Sequence, residues 1–121
     1  MEKQIMTVDD SPSIRKLVEF TLKSRGYRVL SCTDGIEALD TLSRESIDLI
    51  FLDVNMPRMD GFELLGKLRA QEYTSSIPVV MLTTEGQDED KEKALGLGAT
   101  DYIVKPFKPT ELLAITSRIL G

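Results

Sequence analysis

The sequence predicts an α/β fold: a doubly wound, five-stranded parallel sheet with helices on both faces. Three observations predict it. Short apolar runs alternate with stretches of helical periodicity through all 121 residues. The run LIFL at 49–52 is apolar on both alternating faces, as a central parallel strand covered on two sides should be. The residues able to do chemistry fall at the carboxyl ends of the runs, where open α/β sheets place their ligand sites.

Each element has its own signal. QIMTV (4–8) is the first strand, and Ser11 before Pro12 reads as an N-cap with proline at the first helical position. Ile14, Leu17, Val18, Thr21 and Leu22 share one face of a helix from Pro12 to Arg25, with Gly26 as its stop. RVLSCT (28–33) is the second strand, and Ile36, Ala38, Leu39 and Leu42 mark the buried face of the second helix. After LIFLD the loop NMPRMDG breaks the chain before a third helix carrying Phe62, Leu65 and Leu68. Pro78 opens the strand PVVML, and the fourth helix lies between Gly86 and Gly98, acid-rich at its start. TDYIV (100–104) and a helix from about Pro109 to Leu120 complete the chain. No repeat, linker or low-complexity tract interrupts it, so residues 1–121 are expected to form one domain.

Composition removes several classes of function. Apolar residues make up 41% and charged residues 29%, a globular balance. No apolar run reaches the roughly 20 residues that span a bilayer, so no membrane insertion is expected. The N-terminus lacks a signal-peptide pattern and Cys32 is the only cysteine, which together lead to a cytoplasmic expectation. Net charge is −5, from 15 Lys+Arg against 20 Asp+Glu, and no basic patch suggests direct nucleic acid binding. Histidine is absent. Ser–His and Cys–His nucleophile pairs and His-ligated zinc are therefore excluded within the chain, and carboxylates, hydroxyls and lysines must carry the chemistry.

Asp9 with Asp10, Asp53, Thr83 and Lys105 are the candidates, placed at or just past the ends of four different apolar runs. One acidic residue beside a helix N-terminus is ordinary. Two in succession, facing a third from a neighbouring strand, are not: at ~4 Å and an effective dielectric near 20, each like-charged pair costs on the order of 4 kcal/mol. A cation relieves that repulsion, and hard oxygen ligands in small number suit Mg²⁺. Asp53 can also act as a nucleophile toward a phosphoryl group, giving an aspartyl phosphate. Lys105 would supply a second positive charge and Thr83 a hydroxyl donor. Taken singly, Thr83 and Thr84 could merely finish a strand, Lys105 could be a solvated lysine, and Tyr102 could be ordinary strand packing. Pro106 after Lys105 is a candidate cis-proline.

VDD at 8–10, LDVNMPRMDG at 52–61, LTT at 82–84 and DYIVKPF at 101–107 closely resemble the receiver domain of two-component response regulators. The resemblance covers the whole chain, and as a single domain it resembles CheY-type proteins. It implies a (βα)₅ flavodoxin-like fold with strand order 2-1-3-4-5. It implies Asp53 as phospho-acceptor, with Mg²⁺ held directly by Asp10 and Asp53, by the Asn55 backbone carbonyl, and by Asp9 mostly through water. Lys105 would pair with the phosphoryl group, and Pro106 would follow a cis peptide. Thr83 and Tyr102 would form the switch, the tyrosine moving inward behind the threonine and reshaping the face of helix 4, strand 5 and helix 5. The implied partners are a sensor histidine kinase or histidine phosphotransfer protein and a downstream protein target, in chemotaxis or another two-component pathway. A monomer, or a weak dimer that depends on phosphorylation, is expected.

Finer positions follow from the same resemblance. Asn55 and Glu85 lie where the family tunes loss of phosphate, so a short phosphoryl lifetime is expected. Thr84 is bulkier than the family's usual small residue there and would narrow access slightly. Phe20 falls off the apolar face of helix 1, where the family docks its phosphodonor. Two rivals remain. One is a receiver cut from a longer regulator with an output domain. The other is a Mg²⁺-dependent phosphohydrolase, which would place a second Asp where this chain has Asn55 and would need a substrate cap.

Overall fold

The structure is a computed structural model that describes residues 2–84 and 88–121. Five parallel strands, β1 (Gln4–Val8), β2 (Arg28–Cys32), β3 (Leu49–Asp53), β4 (Val79–Thr84) and β5 (Asp101–Lys105), form one sheet in the order β2-β1-β3-β4-β5. Between and after them run α1 (Pro12–Lys23), α2 (Gly35–Leu42), α3 (Gly61–Ala70), α4 (Asp88–Gly96) and α5 (Pro109–Leu120). The expected architecture and strand order are both present. β4 runs to Thr84 and β5 is one residue later than its apolar run suggested.

Two apolar clusters cover the two sides of the sheet. Ile5, Leu49, Phe51, Val80 and Ile103 pack with Val18 and Leu22 of α1 and Leu112 and Ile115 of α5. Met6, Ile50, Leu52 and Met81 point the other way, onto α2, α3 and α4 through Ala38, Leu64, Leu65, Leu68 and Ala94. All five residues of β3 are buried, which places it at the centre as its sequence required. At roughly 25 cal/mol per Å² of apolar surface removed from water, these two clusters are the main source of stability.

The helix ends follow local chemistry. Ser11 caps α1 through its hydroxyl, which accepts from the Ile14 amide, with Pro12 in the first turn. α1 closes at Ser24, and Gly26 takes a positive φ of 87° in the turn beyond. Asp34 caps α2 and Asp60 caps α3, each accepting from the amide three residues on. One face assignment is corrected. Ile36 is 55% exposed, because the buried side of this short helix runs through Gly35, Ala38 and Leu42. At about 100° per residue, Ile36 is rotated out of that stripe. In α3, Leu64 joins Leu65 and Leu68 in the core, while Phe62 is half-buried under the Lys93 ammonium, 4.4 Å from the ring centroid. Among the described residues no helix is long and apolar enough to cross a membrane.

Candidate functional site

Parallel pairing places the carboxyl ends of β1, β3, β4 and β5 side by side. Val8 pairs with Leu52, Asp53 with Leu82, and Leu82 with Ile103, so the residues just beyond share one edge. Strand alternation then sorts them. Asp9, Asp53 and Lys105 continue the parity of Ile5, Phe51 and Ile103, whereas Thr83 continues that of Met81. The Lys105 Nζ lies 3.0 Å from Asp9 Oδ2 and 3.0 Å from Asp53 Oδ1. One ammonium thus bridges two carboxylates at the ends of β1 and β3, which are distant in sequence but adjacent in the sheet. The Lys105–Pro106 peptide is cis, as the sequence suggested.

The three acids differ in environment. Asp9 is fully buried, and both its oxygens are engaged: Oδ1 accepts from the Ser11 amide at 2.9 Å and Oδ2 from Lys105. Its carbonyl accepts from Arg15 at 2.6 Å, a cationic neighbour that helical periodicity alone did not single out. Asp53 is buried as well, and its contacts among the described residues fall on Oδ1, from Lys105 and from the Asn55 amide at 3.3 Å. Asp10 is exposed. Carboxylate oxygens of Asp9, Asp10 and Asp53 all lie within 4.8 Å of one another. Three hard oxygen donors at that separation match what a small divalent cation needs.

The electrostatics agree with that fit. Burial, reinforced by the Asp9 charge, pushes the Asp53 carboxyl up to about 6, although the hydrogen bond from Lys105 pulls the other way. Burial on its own pulls the Lys105 ammonium down, but the hydrogen bonds and charges of Asp53 and Asp9 outweigh it and hold the group above its ordinary value. A buried acid with a raised pKa beside a second acid marks a site that gains from a cation.

The switch candidates sit one step away. Thr83 is fully buried, and its hydroxyl has no hydrogen-bond partner among the described residues. It makes no hydrogen bond to the carboxylates. Tyr102 is half-buried on the same sheet face as Thr83, packed against the cluster under α2, α3 and α4, with the Lys91 ammonium 5.2 Å from its ring centroid. Asn55 and Thr84 are exposed, and Phe20 is 78% exposed on α1. Glu85 lies outside the described residues.

Two features of the β3–α3 loop had no reading in the sequence. Gly61 approaches the strand end so closely that a Cβ there would lie 2.3 Å from the Asp53 carbonyl oxygen and 2.9 Å from the Val54 Cα. Its amide donates to the Val54 carbonyl at 2.9 Å. Arg58 has a φ of 68°, and the Met59 amide donates across it to the Pro57 carbonyl at 2.7 Å, a γ-turn of the strained, positive-φ kind. For a non-glycine residue such backbone costs roughly 1–3 kcal/mol. Arg58 also reaches Asp34 Oδ2 at 2.5 Å.

A family model, the response regulator receiver domain, matches residues 5–117. The chain is 43% identical over 120 residues to the alkaline phosphatase synthesis transcriptional regulatory protein PhoP of Bacillus subtilis, covering 99% of this chain and 49% of that protein. The chain spans about half the length of the curated relatives it matches. Among solved structures, the chemotaxis protein CheY4 of Vibrio cholerae superposes with a TM-score of 0.93 at 42% identity, covering 98% of this chain and 99% of that one. The receiver domain of the sensor histidine kinase PA1611 from Pseudomonas aeruginosa gives 0.91 at 36% identity, covering 100% and 99%, and holds a magnesium ion in its active site cleft. By match, fold and site, this chain belongs to the response regulator receiver domain family.

Proposed function

We propose that the chain is a phosphorylation-controlled signalling switch that takes its phosphoryl group on Asp53. The observation that carries this is the Lys105 ammonium set 3.0 Å from both Asp9 and Asp53, with Asp10 beside them. In the proposed reaction an Asp53 oxygen attacks the phosphorus of a phosphohistidine. The new P–O bond forms as the P–N bond to the donor imidazole breaks, in line with the positioning and charge neutralisation that phosphoryl transfer demands. Asp10, Asp53 and the Asn55 carbonyl would hold Mg²⁺, with Asp9 acting through water. Asp9's engaged oxygens favour that indirect role. Bound there, the cation would neutralise charge on the transferring oxygens. The proposed partners are therefore a sensor histidine kinase or phosphotransfer protein upstream and a protein target downstream, in a cytoplasmic setting.

Switching needs a group that gains from the new phosphoryl oxygens. The buried Thr83 hydroxyl, without a partner among the described residues, is such a group, and Tyr102 lies on its side of the sheet. Phosphorylation brings Asp53 to about −1.5 to −2 and adds acceptors. Thr83 then moves toward them, Tyr102 follows inward, and the face of α4, β5 and α5 changes shape. Phe20, exposed on α1, is proposed as a donor contact. The cycle is one of a switch rather than of a phosphohydrolase, since Asn55 stands where such enzymes carry a second acid.

Beryllium fluoride with Mg²⁺, a phosphoryl mimic, tests the reading by amide NMR. Wild type should show shifts at Thr83, Tyr102 and α5, and Asp53→Asn should show none. Shifts confined to the acidic cluster in wild type would refute the switch.

A further inference from the structure

We propose that Arg58 is a positioning residue: its ion pair with Asp34 tethers the β3–α3 loop, and the cation affinity of the acidic site depends on that tether. The inference rests on the reading of Asp9, Asp10 and Asp53 as a cation site.

The loop leaves the sheet at Asp53 and is in the site within two residues, where the Asn55 amide meets Asp53 Oδ1 at 3.3 Å. Three residues later it makes the tight turn at Arg58, in a conformation that side-chain-bearing residues resist. Strain of this kind persists only where surrounding contacts over-determine it. Here the contact is the guanidinium on Asp34 Oδ2 at 2.5 Å. Its anchor is rigid, because the Asp34 side chain is only 12% exposed and its other oxygen is fixed by the Glu37 amide at the start of α2, 2.9 Å away.

The next residue adds a second contact. Gly35 faces Met59 so closely that a Cβ there would lie 2.7 Å from the sulfur. Arg58 and Met59 thus engage Asp34 and Gly35, while the far end of the loop is pinned by the Gly61 amide on the Val54 carbonyl. Asn55 and Met56 are held between two clamps. The Arg58 side chain is 68% exposed, so as a contribution to stability the pair is weak. What it fixes is the placement of the loop.

The test is a cycle of Arg58→Ala, Asp34→Asn (which keeps the cap) and the double variant, with Arg58→Lys as the conservative control. Mg²⁺ alone is titrated by calorimetry, and amide hydrogen exchange is followed at Met59. Arg58→Ala is expected to weaken Mg²⁺ binding about ten-fold, the lower end for groups that orient a ligand from behind, and to speed Met59 exchange, with the melting curve nearly unmoved. Asp34→Asn should do likewise, the double variant no worse than the weaker single, and Arg58→Lys should recover part of the loss. Affinity unchanged in Arg58→Ala, or losses that simply multiply in the double variant, would overturn the tether while leaving the cation site intact. Failure of the wild type to bind Mg²⁺ would overturn the cation site, and the tether with it.

Discussion

Lys105 Nζ is equidistant from Asp9 Oδ2 and Asp53 Oδ1, at 3.0 Å from each, and so links β5 to the end of β3 and to the residue just past β1. Its side chain is 21% exposed while those of Asp9 and Asp53 are 0% and 6% exposed. Lys105→Met would leave two adjacent carboxylates without their cation. Breaking one side of a buried pair typically costs 3–5 kcal/mol, and the partial exposure of this lysine lowers the expectation to about 2–3 kcal/mol. Urea unfolding at pH 7 with a chelator present reads the loss, and saturating Mg²⁺ should restore part of it. A change below about 0.5 kcal/mol would show that the bridge is not a structural element.

The raised pKa of Asp53 sets a pH dependence with an unusual sign for a carboxylate. Its folded value of about 6 lies above the ordinary 3.8, so between those values the native state holds more protons than the unfolded chain. Stability from this group is therefore present below about pH 4 and is lost as pH rises through 6, by on the order of 2–3 kcal/mol. Asp53→Asn removes the effect. Metal-free wild type and variant should have similar stability near pH 4, with the variant more stable at pH 7. Equal stability of the two at pH 7 would refute the assignment.

Gly61 is required by space rather than by backbone angle. Gly61→Ala drives a methyl into the Asp53 carbonyl, against backbone atoms that cannot turn aside. Overpacking of this kind costs about 1–3 kcal/mol or more, and here the strain falls on the peptide joining Asp53 to Val54. Thermal unfolding should show the loss, and Mg²⁺ affinity should fall with it. A fully stable Gly61→Ala protein would mean the loop can back away freely.

Thr83 offers a substitution that separates stability from signalling. A buried hydroxyl without a partner carries a desolvation penalty of about 1–3 kcal/mol. Thr83→Val keeps the shape and removes the polar atom, so the unphosphorylated protein should be equally stable or up to about 1 kcal/mol more so. It should still accept a phosphoryl group but fail to shift the Tyr102 amide. Clear destabilisation by Thr83→Val would indicate that the hydroxyl is already bonded in the resting state.

Much of this was legible in the sequence because strict β-α alternation makes the strands parallel and brings their carboxyl ends to one edge, while the strand order followed from the family resemblance. The apolar character of LIFL put β3 at the centre, and the ends of four runs brought Asp9, Asp53, Thr83 and Lys105 to one edge. The edge grouping was coarser than the register, which sets Thr83 on the opposite face parity from the other three. Arg58 and Asp34 were not legible. Their contact joins two loops 24 residues apart and depends on a positive φ that nothing in NMPRMDG announces. Ile36 misled for a simpler reason: in a helix of 8 residues, the four apolar positions fit more than one stripe.

The proposed switch depends on Asp53 taking the phosphoryl group, and one measurement tests that step directly. The protein is treated with a small-molecule phosphodonor and Mg²⁺, reduced with borohydride, digested and mapped by mass spectrometry. Reduction converts an aspartyl phosphate to homoserine, so the expected product is homoserine at position 53, dependent on Mg²⁺. Homoserine at Asp9, Asp10 or elsewhere, or none at position 53 after Mg²⁺-dependent labelling, would contradict it.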